Sequence, residues 1–465
     1  MDKQPQIEIL DGVHCKANAK ARELILPCLR VKKQVWVKGD YGGSLEAKTT
    51  YVITGRSGTS GHFLTGLLPR VKKFCKKKKI DIEIIGKHEI LEPTMRPKLK
   101  DIKFRPDQRK AFRRVKKHQR GKVIFPTGSG KTVIALGIFS MYPDCTRLFL
   151  CHTKDLLFQT IEELESYGFE YFAIGGGKKS NWRDIKRANA PIVVAIINSF
   201  ANIEVKKYVS FFDITIVDEV HHVNIKSSQY GHVMNHSLSP IKIGLTATEP
   251  TDYEQFLINE GYFGPTIAEL TIEEGIEKGI IAIPKINLVV VPYNIEVNQK
   301  GQYKYRTLYE HGIVKNRDRN KLIASEVVLT LAFGHSTLIV VERIDHGELI
   351  LKELERAGLK KVPFVQGSTD KSKRIKVKKQ LLDKEIYIVI CTRVWKEGIN
   401  IPTLDHVILA SGMKDEKQVI QALGRGLRVT EKKTRVKLTD FLDPYRFLSE
   451  HSIARLHIYR RNKWM

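Results

Sequence analysis

Val123-Ile124-Phe125-Pro126-Thr127-Gly128-Ser129-Gly130-Lys131-Thr132 passes from a short apolar β-type run, through a glycine-rich turn, into the helix-period stretch 133–139. A phosphate tail needs inward backbone N–H groups, glycines that allow close approach, a cation for the terminal phosphates and a hydroxyl for magnesium. This segment supplies all four. Pro126, Thr127, Gly128, Ser129 and Gly130 form the cradle, Lys131 reaches the β- and γ-phosphates, and Thr132 binds Mg²⁺. Phe125 stands where the strict pattern has its first glycine. Upstream, Phe104-Arg105-Pro106-Asp107-Gln108 opens a basic helix, and the Gln108 amide, which both donates and accepts, suits an adenine edge beside Arg105.

A second chemical segment lies 86 residues beyond Thr132. Ile214-Thr215-Ile216-Val217-Asp218-Glu219-Val220-His221 ends a β-branched run in two carboxylates, where a parallel strand delivers side chains to the C-terminal edge of its sheet. Asp218 there holds Mg²⁺. Glu219 is expected to point the other way along the pleat and orient the water that attacks the γ-phosphate. His221 with His222 admits a metal site or a hydrogen-bonding link to a later motif; we favour the link.

Around these segments, β-rich runs at 121–125, 147–151, 192–197, 214–217 and 241–245 alternate with helix-period stretches, and the rhythm restarts at 338–341, 386–391 and 406–410. Alternation of this kind implies βαβ units and parallel sheets. The expected fold is α/β, with two tandem parallel-sheet domains at 93–282 and 283–465 behind a small basic α+β module at 1–92, whose β-type runs include 34–37 and 49–54.

Charge is the unusual feature of the composition. With 79 Lys+Arg against 51 Asp+Glu the chain carries a formal charge of +28, which makes nucleic acid the leading partner class. Residues 1–100 hold 21 basic and 10 acidic residues, a net of +11. The densest run, residues 70–79, includes Lys72, Lys73, Lys76 and Lys77; it reads either as a solvated helix face or as a phosphate-contacting patch, with Phe74 stacking or packing beside it. The six cysteines contain no C-x-x-C pair and are expected to be free thiols. No apolar run is long enough to cross a membrane and no signal-peptide pattern opens the chain, so a soluble, cytoplasmic protein is expected; a monomer is the expected state.

Asp218-Glu219-Val220-His221 resembles the DExH box of superfamily 2 helicases, and further segments match that family in order. Residues 150–156 resemble motif Ia, 196–200 motif Ib or Ic, 245–248 motif III, 338–342 motif IV, 391–402 motif V, and Gln421-Ala422-Leu423-Gly424-Arg425-Gly426-Leu427-Arg428 motif VI. Within the family, the tracts 104–108, 311–320 and 440–443 with His451-Ser452 resemble the UvsW-type branch-migration helicases of bacteriophages. One departure is Glu249-Pro250 after Thr248, where the family has proline directly.

The resemblance implies two RecA-like domains, ATP and Mg²⁺ as cofactors, and DNA as partner, with recombination or replication proteins as further candidates. Gln421, Arg425 and Arg428 share one helical face and would act on the transferring phosphoryl group. Thr153, Lys154, Asn198 and Ser199 would grip nucleic acid from the first domain, and Gly367, Ser368 and Thr392 from the second, while Thr246 and Thr248 couple grip to hydrolysis. The basic N-terminal module would hold duplex or junction DNA, so its deletion is expected to spare ATP hydrolysis and impair unwinding. An RNA helicase, a duplex translocase that separates no strands, and a non-catalytic binding protein are the alternatives; intact Lys131, Asp218, Glu219, Arg425 and Arg428 oppose the last.

Overall fold

The first strands are short and half-buried, and they need a helix to complete a core. β1 (Gln6–Ile9), β2 (His14–Ala17), β5 (His62–Leu64) and β6 (Glu83–Ile85) form a sheet of order β5-β2-β1-β6, while β3 (Arg30–Gly39) and β4 (Gly42–Tyr51) make a separate antiparallel hairpin. The computed structural model describes residues 4–39, 42–51, 61–201, 208–222, 228–250, 252–294, 296–297, 304–392, 401, 403–412, 419, 426, 429 and 433–465, with backbone only at 32–51, 222, 228 and 371. The basic run forms the helix Leu68–Lys78. It turns Leu68, Val71 and Cys75 inward and leaves Lys72, Lys73, Lys76 and Lys77 exposed. Phe74 packs against the core rather than standing free to stack.

The chain divides into two compact units, Met1–Phe125 with Gly130–Leu270, and Thr271–Met465, with Pro126–Ser129 counted in the second. The N-terminal module therefore shares a unit with the first parallel sheet, and three glycines explain how closely it docks. A Cβ at Gly66 would lie 2.3 Å from the Glu260 carbonyl oxygen, one at Gly261 2.6 Å from Leu64 Cδ1, and one at Gly12 2.5 Å from the Leu238 carbonyl oxygen. Lys242 Nζ donates to the Gly12 carbonyl at 2.9 Å, and Arg70 pairs with Glu260 at 2.6 Å. One hydrophobic core runs from Ile7 and Phe63 to Leu257 and Phe263. Deleting residues 1–92 would strip these contacts from Gly261, Glu260 and the buried Lys242, so the deletion would also disturb the unit that carries the first sheet.

The first large sheet, parallel except for its antiparallel edge strand β10, comprises β7 (Arg120–Ile124), β8 (Arg147–Cys151), β9 (Phe172–Gly175), β10 (Lys178–Lys179), β11 (Ile192–Ile196), β12 (Ile214–Val217), β13 (Ile241–Thr246) and β14 (Thr266–Glu269). Among the described residues its order is β10-β9-β11-β8-β12-β13-β7-β14. β8, β11, β12 and β13 are buried at every position, as strands covered on both faces must be. Two crossovers decide the site: β13 lies between β7 and β12, and β8, β11 and β9 follow on the far side of β12.

The second sheet contains β15 (Ile283–Val290), β16 (Thr337–Val340), β17 (Phe364–Val365), β18 (Ile388–Cys391), β19 (His406–Leu409) and β20 (Arg435–Leu442), all parallel, in the order β15-β20-β19-β16-β18-β17. Here two of the tracts that resembled the UvsW type, 311–320 and 440–443 with His451-Ser452, converge. Arg319 donates through Nε to Asp443 at 2.8 Å and through Nη1 to the Ala410 carbonyl at 2.7 Å. Arg455 pairs with Asp440 at 2.7 Å, and Ser452 Oγ accepts from the Asp443 N–H. Both arginines are fully buried. All six cysteines are free, and no helix of the described residues is long and apolar enough to cross a membrane.

Candidate nucleotide and nucleic-acid sites

β7 ends at Ile124, and Phe125 N–H donates to the Thr246 carbonyl, tying the start of the loop to the end of β13. Gly128 and Gly130 have φ of +81° and +89°, a conformation that costs glycine little. At Gly130 a Cβ would stand 2.9 Å from Gln108 Nε2. Ser129 Oγ is turned into the loop, donating to the Pro126 carbonyl at 2.6 Å. The following helix, Lys131–Met141, buries residues Ile134–Phe139 and Met141, which anchors the loop's far end.

Gln108 sits on the first turn of the helix Pro106–His118, with proline at N1. Its Oε1 accepts from the Arg105 N–H at 3.1 Å, so half of the amide expected to read adenine is spent on a capping box, while Nε2 faces Gly130. Arg105 forms an ion pair with Asp107 at 2.9 Å.

Asp218 and Glu219 follow β12, but a left-handed turn, not the pleat, separates their directions: Glu219 has φ +51°. Glu219 Oε1 is 3.8 Å from Lys131 Nζ, which also donates to the Phe125 carbonyl at 3.4 Å. Both contacts lie at the long end of bonding distance, so the ammonium is held without being saturated. Burial, reinforced by the Glu219 charge, raises the Asp218 pKa. Burial also acts to raise that of Glu219, but Lys131 and His221 outweigh it and the net direction is down. Two buried carboxylates beside one lysine favour a further cation. Asp218 with the Thr132 hydroxyl is an oxygen donor set suited to Mg²⁺, so the residues present fit a triphosphate with its metal.

His221 Nδ1 lies 3.0 Å from Thr246 Oγ1 and 3.2 Å from Glu219 Oε2. Thr246 Oγ1 in turn donates to the Thr248 carbonyl at 2.8 Å and accepts from the Thr248 N–H at 3.3 Å. The link between the acidic segment and the end of β13 is thus present as hydrogen bonds. Glu249, the departure from the family pattern, accepts from the buried Lys122 Nζ at 2.6 Å and from Thr266 Oγ1 at 2.8 Å, which fixes the turn that proline fixes elsewhere.

On the other half of the same edge, β8, β11 and β9 end side by side, with Cys151 opposite Ile196 and Ala195 opposite Ile174. Thr153 and Lys154 follow β8; Asn198 and Ser199 lie in the short helix Ile197–Ala201 that follows β11. Thr153 Oγ1 caps its helix, accepting from the Leu156 N–H at 3.3 Å. Sequence reasoning missed the third member of this row, the turn Gly175-Gly176-Gly177-Lys178-Lys179. Its glycines all have positive φ, and with Lys154, Ser180, Trp182 and Ser199 it lines a cavity of about 470 Å³. Three consecutive glycines followed by two lysines were the available signal.

In the second unit, Gly367 and Ser368 are exposed in the turn after β17, and Thr392 follows the adjacent β18, its N–H donating to the Val365 carbonyl. Arg374 fixes that turn by donating to the Gly367 and Thr369 carbonyls at 2.8 Å each. Gln421, Arg425 and Arg428 lie outside the described residues.

A phosphate loop, a buried acidic pair and a polar row along one parallel sheet, with a second parallel sheet following in the chain, define a nucleotide-using protein of the two-RecA-domain class. The comparisons refine this. The family description "Type III restriction enzyme, res subunit" matches residues 101–251, and "Helicase conserved C-terminal domain" matches 318–430. The DNA 3'-5' translocase XPB2 of Sulfurisphaera tokodaii is 27% identical over 395 residues, 78% of this chain and 86% of that protein. The ATP-dependent DNA helicase uvsW of Enterobacteria phage T4 is 26% identical over 410 residues, 81% of this chain and 78% of that protein. Among solved structures, the DNA-bound helicase MrfA matches at a TM-score of 0.60 over 80% of this chain and 52% of that one; at 16% identity this speaks to fold alone. These matches make the chain similar to the superfamily 2 helicases and, among them, to the UvsW type.

Proposed function

We propose that this protein is an ATP-dependent DNA helicase or translocase that unwinds or branch-migrates forked and junction DNA in replication, recombination or repair. One observation carries the proposal: a single sheet edge bears the phosphate-loop lysine and the acidic pair at β7, β13 and β12, and a polar, glycine-rich row at β8, β11 and β9. When bound, ATP with Mg²⁺ supplies the phosphoanhydride whose cleavage drives the cycle.

Residues 126–130 cradle the phosphates, Lys131 neutralises them, and Thr132 with Asp218 holds the cation. Glu219, kept ionised, orients the attacking water and accepts its proton. Arg105 and Gln108 flank the base. Gln421, Arg425 and Arg428 are assigned to hydrolysis on sequence grounds. His221, Thr246 and Thr248 pass the state of the acidic segment to β13. Thr153, Lys154, Asn198, Ser199 and the 175–179 turn, with Gly367, Ser368 and Thr392 in the second unit, bind the phosphate backbone without reading sequence. The exposed face of Lys72, Lys73, Lys76 and Lys77 holds duplex, within a functional division of 1–92, 93–282 and 283–465.

The test is ATP-dependent unwinding of synthetic forks, four-way junctions and flaps with either overhang, beside RNA versions. Unwinding of DNA junctions, reduced when the four lysines become glutamine while DNA-stimulated ATP hydrolysis persists, supports the proposal. Activity restricted to RNA contradicts it. The restriction-enzyme family match at 101–251 favours a second reading, duplex translocation without strand separation. That reading requires triplex displacement without strand displacement.

A further inference from the structure

A cavity of about 620 Å³ in the second unit takes no part in the site described above. It lies on the side of the sheet covered by the helix Arg317–Ala332, where Asn287 on β15 and Lys437 on β20 both reach Glu326. Its walls combine two kinds of surface. One is apolar: Leu329 on that helix and Phe333 at its C-cap are 50% and 70% exposed. The other is cationic: Lys285, Lys433, Arg435 and Lys437 line the cavity, against the single carboxylate of Asp405.

That carboxylate already accepts from the Ser336 N–H and hydroxyl. Lys437 is neutralised by Glu326 at 2.8 Å, and Lys433 Nζ donates to the Leu404 and Gly426 carbonyls. Lys285 and Arg435 are exposed, with no carboxylate partner among the described residues.

The cavity also borders an open sheet edge. β15 pairs with β20 on one side, and no described strand pairs with its other side. Ile283 and Val291 N–H groups point inward, to the Thr434 and Leu442 carbonyls. Alternation then turns the N–H groups of Ile286, Leu288 and Val290 outward, and Pro284, which has none, occupies the one outward position that lacks a donor. In register, Ile283 faces Arg435 and Lys285 faces Lys437, which places Lys285 and Arg435 on the cavity face beside this edge.

We propose that β15 and this cavity form a docking site for an extended acidic peptide of a partner protein, added as a further strand, with its carboxylates on Lys285 and Arg435 and a bulky apolar side chain on Leu329 and Phe333. Main-chain hydrogen bonds to Ile286, Leu288 and Val290 hold the strand, and the alternating side chains select it. Charge complementarity favours an acidic occupant over a neutral one. The exposed apolar wall of Leu329 and Phe333 favours a peptide over a phosphate backbone, which needs a continuous polar track.

The experiment uses the full chain and a fluorescein-labelled octapeptide with two aspartates and a phenylalanine at every second position and serine between them, so that the three face the cavity together, measured by anisotropy beside a labelled eight-nucleotide single strand. Binding of the peptide is expected to weaken by about tenfold or more in Lys285→Glu with Arg435→Glu, and in Phe333→Ser, which changes an exposed side chain. DNA-stimulated ATP hydrolysis should stay unchanged in all of these. Amide exchange at Ile286, Leu288 and Val290 should slow when peptide is added. Equal peptide binding by wild type and variants, or no slowing at those amides, overturns the proposal. So does loss of single-strand binding in the same variants without loss of peptide binding, which would make the cavity a nucleic-acid site.

Discussion

Both units bring charged side chains to the C-terminal ends of parallel strands, and they treat the charges in opposite ways. In the second unit, Arg319 and Arg455 are sealed against Asp443 and Asp440 at 2.8 and 2.7 Å, with carbonyl oxygens and Tyr459 taking up neighbouring groups. In the first, Lys131 meets Glu219 only at 3.8 Å, and Asp218 and Glu219 lie adjacent with their pKa values driven apart. Charges paired at hydrogen-bonding distance in the interior fix a structure. Charges left with binding capacity in a buried setting are available to a ligand, which is where chemistry is expected.

The contrast is sharpest in a paired set of substitutions. Lys131→Ala and Glu219→Gln should each lower ATP turnover by roughly 10³-fold or more, about 4 kcal/mol, while leaving the thermal midpoint close to wild type. Breaking a sealed pair should do the reverse: Arg319→Ala or Asp443→Ala removes about 3–5 kcal/mol of stability, measured by denaturant unfolding, because the partner charge stays buried. An Arg319→Met, Asp443→Leu double variant should recover most of that loss. Loss of stability in Lys131→Ala as large as in Arg319→Ala would erase the distinction.

Acidity provides a smaller effect. His406 is buried between Thr337 and Thr439, and burial, aided by Lys437, pushes its pKa down to about 3. The unfolded chain takes up this proton below about pH 6.5 and the folded chain does not, so stability is full above that pH and falls as pH drops toward 3, by about 1.4 kcal/mol per pH unit. His346, shifted in the same direction by burial, adds to the slope. Unfolding midpoints between pH 7 and 5 should therefore fall, and fall less in His406→Gln.

The smallest effect tests the nucleic-acid row. Gly175 has φ +105°, and a Cβ there would lie 2.9 Å from Ser199 Oγ. Gly175→Ala should raise the DNA concentration for half-maximal ATPase stimulation by about tenfold, or 1.4 kcal/mol, with DNA-free hydrolysis unchanged.

How much was legible in the sequence follows the same division. The phosphate loop, the acidic pair and the strands around them are local: Ile214–Val217 and Arg147–Cys151 have the bounds their apolar runs suggested. Glu219 was placed on the wrong geometry because a left-handed backbone has no signature in a non-glycine residue. Gln108 was read as free for adenine because a capping box competes for the same amide. The Gly175–Lys179 turn was overlooked because its partners, Lys154 and Ser199, are distant in sequence and meet only through strand order. Docking of the N-terminal module through Gly12, Gly66 and Gly261 was equally hidden, since close approach depends on the surface opposite each glycine.

The central claim is that a nucleic-acid grip and an ATP site share one sheet edge and act on each other. Its most direct measurement is the rate of ATP hydrolysis with and without single-stranded DNA, in wild type and in Lys131→Ala. The account predicts hydrolysis that rises about tenfold or more with DNA in wild type and is abolished in the variant, which should still bind DNA. Turnover that ignores DNA, or that survives loss of Lys131, would contradict it.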